Sequence, residues 1–280
     1  MKNKTVLVTG ATDGIGKETA LRIAAQGARV LIVGRNAEKG AAAVADIANQ
    51  TGNPAVEFLQ ADLSAQAQVR SLAAEVKERT ERLDVLVNNA GAILFRREES
   101  ADGIEMTFAL NHLNYFLLTH ELTDVLTASG AARVVNVSSI AHRRAVLDFR
   151  DLELKHGFGA WKAYARSKLA NVMFTYGLAR RLEGSGVTAN CLHPGFVRSQ
   201  FGRNNGFFAR TGVALAMRFG NAISVAQGAE TSVYLASSSA VERQTALYFD
   251  TCRAVRSNEV SYDRAAQDRL WDISKEMVGL

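Results

Sequence analysis

The order in which strand-like and helix-like segments alternate constrains this chain more than any single residue does. Short apolar, β-branched runs at residues 5–9, 29–33, 56–59, 85–87, 133–137 and 187–192 are separated by longer segments of helical period near 16–26, 37–50, 66–80, 104–127 and 160–182. Several of the short runs are apolar without alternation, as strands covered on both faces must be. Parallel strands need crossover connections, so a βαβα series of this kind implies one doubly wound parallel sheet with helices on both faces. The expected class is therefore α/β, with about seven strands in the sheet. Right-handed crossovers place the carboxyl ends of the strands along one edge, where such sheets bind ligands.

With 280 residues, 48% of them hydrophobic, the chain can build a core without disulfide or metal staples. No repeat, low-complexity tract or linker interrupts it, so residues 1–280 are expected to form one domain. The period breaks at 196–222, where Phe196, Phe201, Phe207, Phe208 and Phe219 alternate with Gly and Arg. That stretch reads as a substrate lid or as a packed helical excursion, and residues 250–280 read as a C-terminal extension. Cys191 and Cys252 lie far apart and match no CxxC spacing, which favours a reducing compartment and makes a cytoplasmic location the expectation. Met1-Lys2-Asn3-Lys4 is basic, but the apolar stretch after it is too short for a signal peptide and reads as the first strand. No apolar run approaches the roughly 18 residues of a membrane span.

Chemistry first shows in Thr9-Gly10-Ala11-Thr12-Asp13-Gly14-Ile15-Gly16, between the first strand and the helix beginning Lys17-Glu18-Thr19. Glycines there permit a sharp turn, a close approach of pyrophosphate to main-chain N–H groups, and tight helix-on-strand packing. The second strand ends in Val33-Gly34-Arg35-Asn36, with no acid to take the 2′-hydroxyl of NAD and with a guanidinium suited to the 2′-phosphate of NADP. Asp13 either repels that phosphate or caps the helix. NADP is the favoured cofactor, with NAD as the alternative.

A second cluster is Tyr164-Ala165-Arg166-Ser167-Lys168, in a segment of helical period. Positions four apart share a helix face, so phenol and ammonium are neighbours. An adjacent cation, together with the positive charge of an oxidised nicotinamide, stabilises a phenolate and fits Tyr164 for proton transfer to or from a carbonyl oxygen. The fifth strand runs into Ser138-Ser139, either of which could bond that oxygen, and the fourth into the polar turn Asn88-Asn89-Ala90-Gly91.

With these motifs in this order, the chain resembles the short-chain dehydrogenase/reductases and, among them, the retinol-dehydrogenase-like group. The matching stretches are residues 9–16, Asp62-Leu63, 83–91, Asn111-His112-Leu113, 133–139, 164–171, His193-Pro194-Gly195 and 269–274, which together span nearly the whole chain. The resemblance implies a Rossmann-type fold and a set of roles. Tyr164 would be the acid–base, Lys168 would hold the nicotinamide ribose and lower the Tyr164 pKa, and Ser139, with Ser138 as fallback, would polarise the substrate. Asn111 would hold a water in the proton relay. The resemblance further implies that Gly10, Thr12, Asp13, Gly14, Ile15, Gly16 and Arg35 line the dinucleotide, with Asp62 and Leu63 at adenine and Asn88, Ala90 and Gly91 at the adenosine ribose. Pro194, Gly195, Val197 and Ser199 would receive the carboxamide. Asn114 and Thr12-Asp13 depart from the commoner residues of the group.

The remaining signals are plain. His112, His120, His142, His156 and His193 have no metal-ligand spacing, so no metal is expected, and His193 reads as structural. Arg96-Arg97 is followed by Glu98-Glu99, a solvated face rather than a nucleic-acid stripe, while Arg143, Arg144, Arg198, Arg203, Arg210 and Arg218 lie near the inferred cleft or lid. The net charge of +5 fits a multiply anionic cofactor. The expected partner is a small hydrophobic carbonyl or alcohol of retinoid, steroid or aryl-ketone size. No nucleic acid is expected, and homo-oligomer and monomer are both left open. A non-catalytic NADP-responsive binding protein on the same fold is the alternative function.

Overall fold

A computed structural model describes residues 1–197 and 222–280. Period-2 alternation decides what each strand presents to either face. In β1 (Thr5–Thr9), Val6 and Val8 enter one apolar layer and Leu7 the other. In β2 (Arg29–Gly34), Val30 and Ile32 join the first layer and Leu31 and Val33 the second. Both layers are closed by helices, which is why these runs read as continuously apolar. The first layer takes α1 (Gly14–Ala24) and α2 (Ala37–Thr51) through Ile23 and Ile47, and the second takes α3 (Gln66–Arg79) through Leu72 and Val76. Each such side chain contributes roughly 1.5–3 kcal/mol on burial.

The remaining strands are β3 (Val56–Gln60), β4 (Val85–Asn88), β5 (Arg133–Val137), β6 (Thr188–His193), β7 (Tyr248–Asp250) and β8 (Arg253–Val255). They form one sheet in the order β3-β2-β1-β4-β5-β6-β7-β8, parallel except for the β7–β8 pair. The strand count is thus eight, because the last two strands are only three residues each and leave almost no periodic signal. The order reverses between β1 and β4, with Val6 opposite both Val30 and Val85.

Between β4 and β5 the chain forms α4 (Met106–Phe108), a π-helical turn at Ala109–Leu113, α5 (Asn114–Glu121) and α6 (Thr123–Ala128). The long helix α7 (Ala160–Arg181) lies on the second face. Helix α8 (Val225–Ser237) packs on the first through Leu235 and Ala236 and opens with a capping box, Ser224 with Gln227. Helix α9 (Arg264–Met277) returns to the second face through Leu270. Its Trp271 stacks between Phe174 and the Arg181 guanidinium, and Asp268 pairs with Arg180 and Arg181. Among the described residues no helix is long and apolar enough to cross a membrane. The stretch read as a lid lies almost entirely outside the described residues.

Two histidines are wholly enclosed, His112 in the π-turn and His142 in the short 3₁₀ turn Ile140–Arg144 after β5. Burial pushes each imidazole from 6.5 down to about 4, so both rings are neutral in the fold. The unfolded chain then binds more protons than the native one between those values, and stability is lost as pH falls through this window. Acidification from pH 7 to pH 5 is expected to lower the unfolding free energy by about 2 kcal/mol for each of the two rings. Urea unfolding at both pH values checks this, with His112→Gln removing about half the effect; an unchanged midpoint would show the rings to be hydrated.

Candidate active site

Where the strand order reverses, the turns after β1 and β4 are stitched together. The Thr9 hydroxyl accepts the N–H groups of Asn89 and Ala90 at 2.9 and 3.0 Å, and the Asn89 amide donates to the carbonyls of Thr9 and Gly10 at 2.8 and 3.2 Å. This fit leaves no room for side chains in the first turn. A Cβ on Gly10, which sits at φ +62°, would stand 2.8 Å from Ala90 Cα, and one on Gly16 would stand 2.4 Å from the Gly10 carbonyl oxygen and the Asn89 amide. The amino end of α1 therefore opens onto the sheet edge, with main-chain N–H groups and the positive end of the helix dipole. Such a cradle fits a pyrophosphate.

Of the two readings of Asp13, the structure shows the cap: its carboxylate accepts the Gly14 N–H at 2.7 Å. Thr12 lies over the end of β2, its methyl 2.5 Å from where a Gly34 Cβ would sit. Arg35 is exposed in the next turn, its carbonyl accepting from Gln60, and Asn36 caps α2 through the Lys39 N–H. No carboxylate among the described residues pairs with the Arg35 guanidinium. Asp62 folds back to accept from Ser64 N–H and hydroxyl, and Leu63 buries its side chain in the core, leaving its main chain for a ligand.

Asn88 ends β4. Its side chain is fully buried and donates to Thr119 and Asn136. Asn89, passed over in the sequence, is the asparagine that holds the glycine turn. Its signal was present as a doubled asparagine ahead of Ala90-Gly91, on the strand adjacent to Thr9. Further along, Gly91 brings the two clusters together, since a Cβ there would lie 3.1 Å from Asn111 Oδ1 and 3.4 Å from Lys168 Nζ.

Tyr164 and Lys168 stand one turn apart on α7, the ammonium 5.7 Å from the centre of the phenol ring. The two serines after β5 divide their tasks. Ser138 is buried and donates to the Lys168 carbonyl at 2.8 Å, whereas Ser139 is half-buried and hydrogen-bonded to the Tyr164 side chain. Ser139 is thus the serine that faces the phenol. Asn111 donates to the Ala92 carbonyl at 2.9 Å and to Ser167 at 3.0 Å and accepts the Ala92 N–H at 2.8 Å, so it fixes the turn beside Gly91. It sits in the π-turn, a form that recurs at functional sites because it displaces carbonyls from the helical ladder. The Leu110 carbonyl accepts from the Asn114 side chain and the Asn111 carbonyl from Asn171.

Burial dominates the electrostatics of the phenol and the ammonium. Among the described residues no carboxylate pairs with the Lys168 ammonium, which donates to the Val137 carbonyl at 2.9 Å; desolvation pushes it down to about 7. Tyr164 is pushed up to about 12 by its own burial, which the Ser139 hydrogen bond only partly offsets. In the chain without cofactor, burial outweighs any lowering of the phenol, and one of the three Lys168 N–H groups is taken by the Val137 carbonyl. Tyr115, also unanticipated, lies with its ring 5.6 Å from the same ammonium.

Opposite, the turn after β6 carries Pro194, Gly195 and Val197. His193 shapes it, accepting the Gly195 N–H at 3.0 Å while its other nitrogen lies 3.2 Å from Asp250. Val197 pairs with Ile223 and packs against Gly228, as does Ile15 of the first turn. Ser199 lies outside the described residues. Cys191 is buried, its thiol pushed up to about 12, and takes no part in the site.

Comparison with known proteins agrees with this geometry. The family model described as short chain dehydrogenase matches residues 4–206. Human retinol dehydrogenase 13 is 40% identical over 99% of this chain and 85% of its own length, and human retinol dehydrogenase 11 is 39% identical over 100% and 87%. Among solved structures, a Mycobacterium paratuberculosis protein superposes with a TM-score of 0.79 at 30% identity, covering 99% of this chain and 94% of that one. The NADP active-site complex of Pseudomonas aeruginosa RhlG gives 0.71 at 30% identity, covering 89% and 94%. With a cradle for a dinucleotide, a tyrosine and lysine one helical turn apart, and likeness along its whole length, this chain belongs to the short chain dehydrogenase family, in its retinol-dehydrogenase-like group, and is an NAD(P)-dependent oxidoreductase of alcohol and carbonyl groups.

Proposed function

We propose that the enzyme prefers NADP and interconverts a carbonyl and an alcohol on a hydrophobic molecule of retinoid, steroid or aryl-ketone size. The observation that carries the reading is the meeting at Gly91 of the turn packed on the glycine cradle with Asn111 and Lys168. A dinucleotide lying along this edge supplies or accepts the hydride and, when oxidised, brings a positive charge to the site. Its pyrophosphate would lie along the turn of Gly10, Thr12, Asp13, Gly14, Ile15 and Gly16, at the amino end of α1. Asp62 and Leu63 border the adenine, and Asn88, by its main chain, with Ala90 and Gly91 borders the ribose. Pro194, Gly195, Val197 and Ser199 receive the carboxamide.

Tyr164 donates its proton to the carbonyl oxygen in reduction and accepts one from the alcohol in oxidation. A phenol near 12 is fully protonated at neutral pH, which suits the reductive direction. Oxidation needs it lowered, which Lys168 would do together with the positive charge that an oxidised nicotinamide would supply when bound. Ser139 offers its hydroxyl to the same oxygen, Lys168 holds the ribose hydroxyls, and Asn111 keeps the turn beside them and a relay water in place.

Preference for NADP rests on Arg35, exposed at the end of β2 where no acid stands. Hydrophobicity of the substrate rests on apolar side chains exposed on the segments that carry the site: Phe95 at 38%, Ile140 at 51%, Trp161 at 64% and Phe196 at 51%. Trp161 meets the Tyr164 ring edge-on at 6.2 Å, so a flat unsaturated substrate would find an aromatic wall beside the acid.

Tyr164→Phe is expected to keep its unfolding midpoint and NADPH affinity while kcat falls by roughly 10²-fold or more. An active variant would remove Tyr164 from the chemistry, and a wild-type chain that binds NADPH without turning over any aldehyde, ketone or alcohol would favour the non-catalytic alternative. Arg35→Ala should weaken NADPH about tenfold or more, the loss of a charge-assisted bond, and leave NADH within about twofold. Isothermal titration with both nucleotides decides, an equal loss for both refuting the 2′-phosphate contact.

A further inference from the structure

The two enclosed histidines share an arrangement that gives the C-terminal segment a task. His112 Nδ1 lies 3.3 Å from Asn171 Oδ1, while the Asn171 amide nitrogen donates to the Asn111 carbonyl at 2.8 Å. An oxygen can only accept, so Nδ1 carries the hydrogen and Nε2 is left as acceptor; there the Ser274 hydroxyl of α9 donates, at 3.0 Å. His142 repeats the pattern. Its Nδ1 donates to the Ser139 carbonyl at 2.6 Å, and its Nε2 accepts the main-chain N–H of Asn258 at 3.2 Å. The Asn258 side chain adds donors to the carbonyls of His142, Arg143 and Ala145 at 3.1, 3.1 and 3.3 Å.

We infer that Ser274 and Asn258 are positioning residues: through the Nδ1–H tautomers of His112 and His142, the segment from Asn258 to Ser274 holds Asn111 and Ser139 in register with Tyr164. In both cases one ring nitrogen faces the catalytic side and the other faces the C-terminal segment. Losing the Ser274 hydroxyl leaves His112 Nε2 unpaired and frees that ring to turn, whereas losing the Asn258 side-chain donors unpairs the carbonyls of His142, Arg143 and Ala145 and loosens the turn that carries His142. The segment has anchors of its own, so either change can be made without detaching it. Tyr176 bonds Ser257 at 2.8 Å, the Gln66 amide reaches the Met277 carbonyl at 2.8 Å, and Trp271 is packed between aromatic rings. The functional part of this inference rests on the oxidoreductase reading above; the clamps themselves do not.

The test uses the full chain with Ser274→Ala and Asn258→Asp, the latter keeping a side-chain oxygen to accept the Val260 N–H while removing the side-chain donors. Hydrogen exchange is expected to speed up at residues 107–114 in the first variant and at 138–146 in the second, each sparing the other segment, with unfolding midpoints close to the parent. With NADPH and an aldehyde the parent reduces, kcat should fall about tenfold while KM and the NADPH Kd stay within about twofold, the split expected when geometry rather than binding is lost. ¹⁵N spectra of the imidazoles should show the Nδ1–H tautomer at both rings in the parent. The opposite tautomer, unchanged exchange, loss of protection over the whole chain, or a kcat equal to the parent's would each overturn the inference. A parent that turns over nothing removes the catalytic reading instead, and exchange and tautomer then decide whether the clamps exist.

Discussion

Everything in this enzyme hangs on the place where the sheet changes direction. Strands added after β1 run outward on one side through β2 and β3, and those after β4 on the other, so two successive carboxyl ends diverge and leave a crevice between them. A crevice alone would be soft. Thr9 makes it rigid by taking two N–H groups from the opposite turn, and Asn89 returns two bonds to the carbonyls beside Thr9. With its walls tied, the glycine turn has one shape only, and the distances from Gly91 to Lys168 and Asn111 follow from it.

The same packing sets the electrostatic character of the site. Lys168 is buried without an acid, so its ammonium is held by a carbonyl and by aromatic faces rather than by a counter-charge. A fixed carboxylate there would neutralise the lysine and spend its hydrogen bonds. The arrangement keeps the cation available to hydroxyls arriving from outside, and it makes protonation of the tyrosine depend on what is bound.

Much of this was legible in the sequence, and what was not has physical reasons. The strands and long helices announce themselves because both-face burial demands apolar runs and helix packing demands the 3.6-residue period. Gly10, Gly14 and Gly16, like Tyr164 and Lys168, are legible because their chemistry fixes their spacing. Asn88 and Asn89 were not separable, since which neighbour faces the crevice depends on where β4 ends, and its last residue turns its amide inward. Strands β7 and β8 are too short to show a period. Desolvation of Tyr164 has no sequence signal, because proximity along a helix says nothing about burial. Between Ser138 and Ser139 the resemblance favours Ser139, and the structure sets Ser139 beside the phenol and Ser138 on the Lys168 carbonyl.

The bonds that complete the structure are separated widely along the chain. Asn89 reaches back 80 residues to Thr9, Ser274 lies 162 residues from His112, and the Gln66 amide meets a carbonyl 211 residues away. Contacts of such sequence separation form slowly, because closure entropy is spent before they are made. The glycine turn can close once β4 is in place, whereas the His112 ring waits for α9. The tie between the two turns and the tie to the last helix therefore close over very different lengths of chain.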